Sequence, residues 1–194
     1  MRNEMRSVVY KKLSVALSLA ALNLVIGSFV SFFKLPLYLD SIGIFTATIL
    51  LGWRYGVICA LLTVSAGSLL INPYLVFYAA TSIGIATTVY ILRRLNLFRN
   101  YATVIISGIV VAVVSAMLSA PITAYLFEGS TLSGTDALTA YFMATGRTLL
   151  NSVLLAGISS EPVDKIIVAL ASYQLLKSLP LSFIEKHRFN RYRG

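Results

Sequence analysis

Residues 13–33 run for 21 positions without a charged side chain, and this stretch constrains the fold more than any other feature of the chain. As an α-helix rising about 1.5 Å per residue it reaches roughly 31 Å, the thickness of a bilayer's hydrocarbon core. Further apolar runs occupy residues 35–53, 57–71, 74–92, 101–127 and 137–179. Hydrocarbon offers no partner to a free backbone N–H or C=O, so runs of this kind select helices. Composition agrees: 58% of residues are hydrophobic, 12% are charged and the mean hydropathy is +0.84, too apolar for a soluble domain's surface. The expectation is an all-α integral membrane protein. Basic residues precede the first run, as in a signal peptide. That run is nevertheless as long as a spanning helix and lacks a small-residue cleavage site, so it is expected to be retained.

A formal net charge of +9 raises the question of nucleic acid. The basic residues lie at the chain ends and between apolar runs, with no aromatic-interleaved basic surface, so they read as a topology signal and no nucleic-acid partner is expected. Cys59 stands inside an apolar run and His187 in the basic C-terminal stretch. Such a chain has no disulfide framework and no metal-ligand spacing, and neither a metal nor a cofactor is expected.

Taken in order, residues 1–12 form a basic segment carrying Arg2, Arg6, Lys11 and Lys12. Ala16 and Ala20 then give the first run an Ala-x-x-x-Ala face, which suits either close approach of a partner helix or ordinary internal packing. In the second run Pro36 suits the first turn of a helix, and Asp40 with Ser41 offers a second possible cap one turn later. Gly52 and Gly56 allow a tight connection to the third run, which Asn72-Pro73 ends. The fourth run closes at Arg93-Arg94. The fifth carries Pro121, expected to kink it. Residues 128–135, EGSTLSGT, form a polar loop, and Thr135-Asp136 can cap the next helix. Residues 137–179 would make a helix of about 64 Å, twice the hydrocarbon thickness. Ser159-Ser160-Glu161-Pro162 is the natural place for a break.

Charge decides the number of crossings. With a cytoplasmic N-terminus and six crossings, 13 of the 16 Lys and Arg residues fall inside, leaving Lys34, Arg147 and Lys165 outside or within the membrane. Seven crossings would send the basic tail outside, against the positive-inside rule. The expected architecture is therefore a six-transmembrane-helix bundle over residues 13–179 with a kinked or broken last helical region. Residues 180–194 form a basic cytoplasmic tail, and the outer part of residues 137–159 folds over the external face or extends a long last helix.

Polar capacity gathers toward the outside. Five of the seven acids, Asp40, Glu128, Asp136, Glu161 and Asp164, lie there or within the membrane. With Asn72, Tyr74, Tyr78, Tyr125, Tyr141, Arg147 and Asn151 they are candidates for a small-molecule pocket, although interfacial loops are polar and tyrosine-rich in any case. Asp40 is either a helix cap or a ligand contact. Glu161, Asp164 and Lys165 interrupt an apolar segment: Glu161 and Asp164 share a face, and Lys165 stands one turn beyond Glu161. They read either as a self-neutralising group stabilising a helix break or as substrate contacts. No Gly-rich phosphate loop, metal-ligand spacing or nucleophile-serving histidine suggests an enzyme. Energy for uphill movement would have to come from an ion gradient or from partner subunits.

Three features together resemble the substrate-binding S components of energy-coupling factor (ECF) transporters. These are Ala16-Leu17-Ser18-Leu19-Ala20 in the first run; LPLYLDSIGIFTATILLGWRYG leading through a Gly-containing third run to Asn72-Pro73; and the polar loop before Glu161-Pro162-Val163-Asp164-Lys165. The resemblance implies a small six-helix membrane protein that captures a vitamin or related organic nutrient near the outer face. It implies further a membrane coupling subunit driven by two cytoplasmic ATPases, with the Ala-x-x-x-Ala face against that subunit. By position, Ala16 and Ala20 become coupling-face candidates, and Asp40, Asn72, Tyr74, Glu128, Arg147 and Asn151 ligand-side candidates. A metal-binding branch of that family uses an N-terminal Met-His pair; here Met1 precedes Arg2, so an organic substrate is expected. Thiamine or its pyrimidine precursor, riboflavin, pantothenate, pyridoxal-type vitamers, cobalamin and queuosine precursors all stay open. A membrane sensor or assembly protein without transport and a self-sufficient ion-coupled carrier are the alternatives.

Overall fold

In a computed structural model the chain is described over residues 2–180, and every regular element there is helical. The tail expected over 180–194 therefore lies almost wholly outside the described residues. Helix α1 (Arg2–Phe32) carries the basic segment into the first apolar run without interruption. A non-helical connection, residues 33–41, leads to α2 (Ile42–Leu51), and Gly52 alone separates α2 from α3 (Trp53–Leu70). That single residue turns the chain with φ 97°, a conformation glycine adopts without the Cβ penalty. A 3-10 helix (Pro73–Tyr78) precedes α4 (Ala79–Arg94), and α5 (Tyr101–Phe127), α6 (Asp136–Ala144) and α7 (Leu149–Ser178) complete the chain.

Among the described residues four segments are long and apolar enough to cross a membrane: Val8–Phe32, Trp53–Leu70, Pro73–Arg94 and Tyr101–Phe127. Their outward faces are apolar, with Val25, Phe29, Leu69, Ile106, Val113 and Met117 all exposed. In water that surface would be an unprotected patch; in a bilayer it faces lipid.

Contacts fix two ends. At one, Lys12 lies over the Tyr55 ring, Arg93 Nη1 donates to Thr48 O at 3.4 Å, and Tyr173 donates to Arg99 O at 2.9 Å. At the other, the connection 33–41, Asn72 and the loop 128–135 meet. Helices α5 and α7 make the most extensive contact, and Gly108 lets them approach: a Cβ there would stand 2.9 Å from Lys165 O.

Helix α2 departs from expectation. The expected start at Pro36 or Asp40 is replaced by a start at Ile42, and neither Asp40 nor Ser41 makes a side-chain cap. Nine of its ten residues are buried, so it is enclosed by protein and spans only about 15 Å. One of its N-terminal donors finds its partner on another helix: Asn23 of α1 accepts from Gly43 N at 2.6 Å and donates from Nδ2 to Thr63 Oγ1 at 3.0 Å. An amide from a neighbouring helix thus does the capping that sequence assigns to a local residue. Gly43 permits it, since a Cβ there would fall 2.1 Å from Leu19 O.

The expected break at residues 159–162 does not occur; α7 continues through Pro162. Proline withholds one N–H, from the Ile158 carbonyl, but the helix is packed along α5. Helix–helix burial tolerates the defect. The interruption lies earlier, at residues 145–148, where Gly146 adopts φ 81° just past the end of α6, a C-terminal glycine stop. Pro121 likewise sits inside a continuous α5.

Candidate ligand-binding site

Three connections are tied together over the end of the bundle away from Lys12 and Arg99. Lys34 Nζ donates to Leu132 O at 3.2 Å, Asn72 Nδ2 to Thr131 O at 2.8 Å, and the Tyr38 and Thr135 hydroxyls bond at 2.8 Å. Gly134 lets the backbones touch: a Cβ there would lie 2.2 Å from Leu35 O. Asp136, at the start of α6, organises the polar loop by accepting from Thr131 N at 3.0 Å and Ser130 Oγ at 3.1 Å.

The connection 33–41 is pinned from below by α7. Asp164 Oδ1 accepts from Tyr38 N at 2.8 Å and Leu39 N at 2.7 Å, and Leu39 is held at φ 49°, a left-handed conformation uncommon for leucine. Asp164 Oδ2 accepts from Lys165 Nζ, which also stands 3.2 Å from Glu161 Oε2. All three side chains are buried. Charges buried in apolar surroundings persist only with close partners; Asp164 has three, whereas Glu161 Oε2 has none with hydrogen-bond geometry.

Beneath the tied connections lies a cavity of about 130 Å³, open at its mouth. Its apolar wall includes Leu24, Val64 and Ile85, and its floor holds Asn23 and Ser41 at the head of α2. Tyr74 stacks on Phe127 with ring centroids 4.4 Å apart, and the Tyr78 and Thr123 hydroxyls bond at 2.7 Å, which sets two aromatic rings in the wall. Apolar walls with a few fixed polar groups are the ordinary make-up of a small-molecule site.

Of the residues singled out from sequence, Asp40, Asn72, Tyr74, Tyr78, Glu161 and Lys165 line this cavity, and Asp164 stands directly behind. Asp40 Oδ1 accepts from Ser41 Oγ at 2.9 Å, a local bond between neighbours. Asn72 is already committed, since its Oδ1 accepts from Tyr74 N at 3.0 Å while its amide nitrogen holds Thr131; it shapes the mouth. Glu128, Arg147 and Asn151 are exposed and do not line the cavity: Glu128 ends α5, Arg147 sits in the turn before α7, and Asn151 lies in the first turn of α7. Ala16 and Ala20 are 0% and 2% exposed, packed in the same apolar cluster as Phe45, Cys59 and Ala60. Their face serves internal packing, one of the two roles that sequence allowed.

Sequence reasoning passed over Asn23, Tyr38, Thr81 and Ser115 as cavity residues. Asn23 carried a usable signal, being the one amide in an otherwise apolar run; the other three had none beyond composition. Among the described residues no three His, Cys, Asp or Glu side chains are gathered to hold a metal ion. No family model, no curated protein and no solved structure matches this chain.

Proposed function

We propose that this chain is a substrate-capturing membrane subunit of an ECF-type importer. In this reading it binds a small organic nutrient from outside and passes it inward when joined to a membrane coupling subunit and two cytoplasmic ATPases. The observation that carries the reading is the half-enclosed cavity beneath the three tied connections, built from short loops, aromatic walls and a few buried polar groups.

Six crossings with both termini cytoplasmic fit this reading. The segments alternate between the two ends, and α2 with the connection 33–41 makes up one pass, irregular backbone being tolerated at membrane depth where protein encloses it. Lys12 and Arg99 then mark the cytoplasmic end, and the cavity opens outward. Coupling through Ala16 and Ala20 would require α1 to part from α2 and α3. Replacing both with leucine therefore tests the fold together with the coupling.

Native mass spectrometry of the gently purified protein is the direct test. A retained vitamin-sized organic adduct, or co-purifying coupling and ATPase subunits, is the expected result; a protein that is empty and partnerless overturns the assignment. A second reading, an ion-coupled carrier, is favoured by the buried Glu161, Asp164 and Lys165, because ionisable groups at membrane depth often mark ion pathways. It requires uptake by the purified chain alone in liposomes under an ion gradient, whereas the capture subunit gives none without its partners. A sensor or assembly protein would bind ligand yet give no uptake with every coupling module supplied.

A further inference from the structure

Among the described residues two buried side-chain polar atoms lack a hydrogen-bond partner, Glu161 Oε2 and Thr81 Oγ1, and both residues line the same cavity. They come from different helices, α7 and α4. Glu161 Oε2 has only the ion pair with Lys165 Nζ at 3.2 Å, outside hydrogen-bond geometry, and Thr81 Oγ1 has no hydrogen-bond partner; buried polar atoms left short in this way, on residues that line one space, indicate groups that a bound molecule satisfies. Charge narrows what that molecule is. The ionisable Asp, Glu, Lys, Arg and His residues lining the cavity are Asp40, Glu161 and Lys165. Lys165 donates to Asp164, whose other oxygen is filled by two backbone N–H groups, and stands 3.2 Å from Glu161 Oε2, so its one positive charge is shared between two acids. With Asp40 the cluster sets three acids against that single lysine, and an anionic ligand would meet carboxyl groups and no uncommitted cation. The Tyr38 ring already carries Lys165 Nζ 5.8 Å from its centroid, and Tyr74 and Tyr78 present further rings, surfaces that attract positive charge.

We propose that the cavity takes a small organic cation, a ring-bearing molecule whose protonated amine or positively charged heteroaromatic nitrogen donates to Glu161 while Thr81 bonds a second polar group. This rests on the capture reading and names its substrate class. The same chemistry is offered by an amine-bearing lipid headgroup, so the test uses the full chain in phosphatidylglycerol nanodiscs, whose headgroup contains no nitrogen.

Three probes sharing one ring and differing in charge decide the matter: 2-naphthylmethylammonium, 2-naphthylmethanol and 2-naphthoate, read by thermal shift and by native mass spectrometry. The expected result is saturable stabilisation by the cation at least tenfold tighter than by the other two. Glu161→Gln should abolish that preference without lowering the melting temperature of the empty protein. If the alcohol or the carboxylate binds as tightly, or if Glu161→Gln leaves the cation's affinity unchanged, the cation class is overturned while capture stands. A ligand retained from the cell that lacks a positive charge has the same meaning. If no probe binds and the purified protein holds no ligand, the capture reading falls and the substrate class with it.

Discussion

One turn of α7 separates two acids that do opposite things. Around Asp164, facing the connection 33–41, every polar group is spent: one oxygen holds two backbone N–H groups and the other holds Lys165. The junction of α1 with α2 is built the same way, with both ends of the Asn23 amide satisfied. Around Glu161, facing the cavity, an acceptor oxygen and the Thr81 hydroxyl have no hydrogen-bond partner. Both regions are buried and polar, so burial alone does not distinguish structure from function. The distinction lies in whether the hydrogen bonds are complete: a saturated network fixes a shape, and an unsaturated one facing a cavity leaves positions for a ligand.

That contrast is exposed to a graded series of substitutions, each read as a melting curve of the purified protein with and without ligand. Asp164→Ala should be the most damaging, because it frees the connection 33–41 and leaves Lys165 with only Glu161; breaking a buried pair in this way costs about 3–5 kcal/mol. A melting temperature close to that of the parent would break the comparison outright. Gly43→Ala should rank next. Its Cβ meets the Leu19 carbonyl, so α1 and α2 must separate, and overpacking of this kind costs about 1–3 kcal/mol. Asn23→Ala removes the partners of Gly43 N and Thr63 and should cost about 1–3 kcal/mol without changing the charge of the site. On the cavity side, Glu161→Gln and Thr81→Val should leave the empty protein as stable as before or slightly more so, while ligand-induced stabilisation falls. A large loss of apo stability in either would show that the two regions are one network. Smallest of all, Arg147→Ala and Asn151→Ala should shift stability by no more than about 0.5 kcal/mol and leave ligand binding unchanged, since both side chains are exposed away from the cavity.

The apolar runs made the all-helical class, the helices long and apolar enough to cross a membrane and most helix positions legible, because length and hydropathy act locally. The fifth run, read as 101–127, coincides with α5. What sequence could not convey depends on neighbours. Pro162 looks like a break until α5 is packed beside it, and Asp40 looks like a cap until Asn23 is seen to take that role from another helix. The site was half legible for the same reason. Asp40, Glu161 and Lys165 stand out as charges in apolar surroundings, and the structure brings them to one cavity. Glu128, Arg147 and Asn151 stand out equally, yet they lie at helix ends that turn outward. Ala16 and Ala20 show a further limit, since the same small-residue spacing serves an internal seam or an external one and only the fold chooses.

The brevity of α2 has a consequence for depth. A helix of about 15 Å is half as long as a bilayer core about 30 Å thick, and the cavity lies over its head. Ser41 and Asn23, which line the cavity there, are themselves almost wholly buried. Beneath them stand the ten residues of α2, joined to α3 through Gly52 and seated on close contacts at Gly43 and Gly56. The cavity is thus closed at that side by one short helix and not by a layer of long ones.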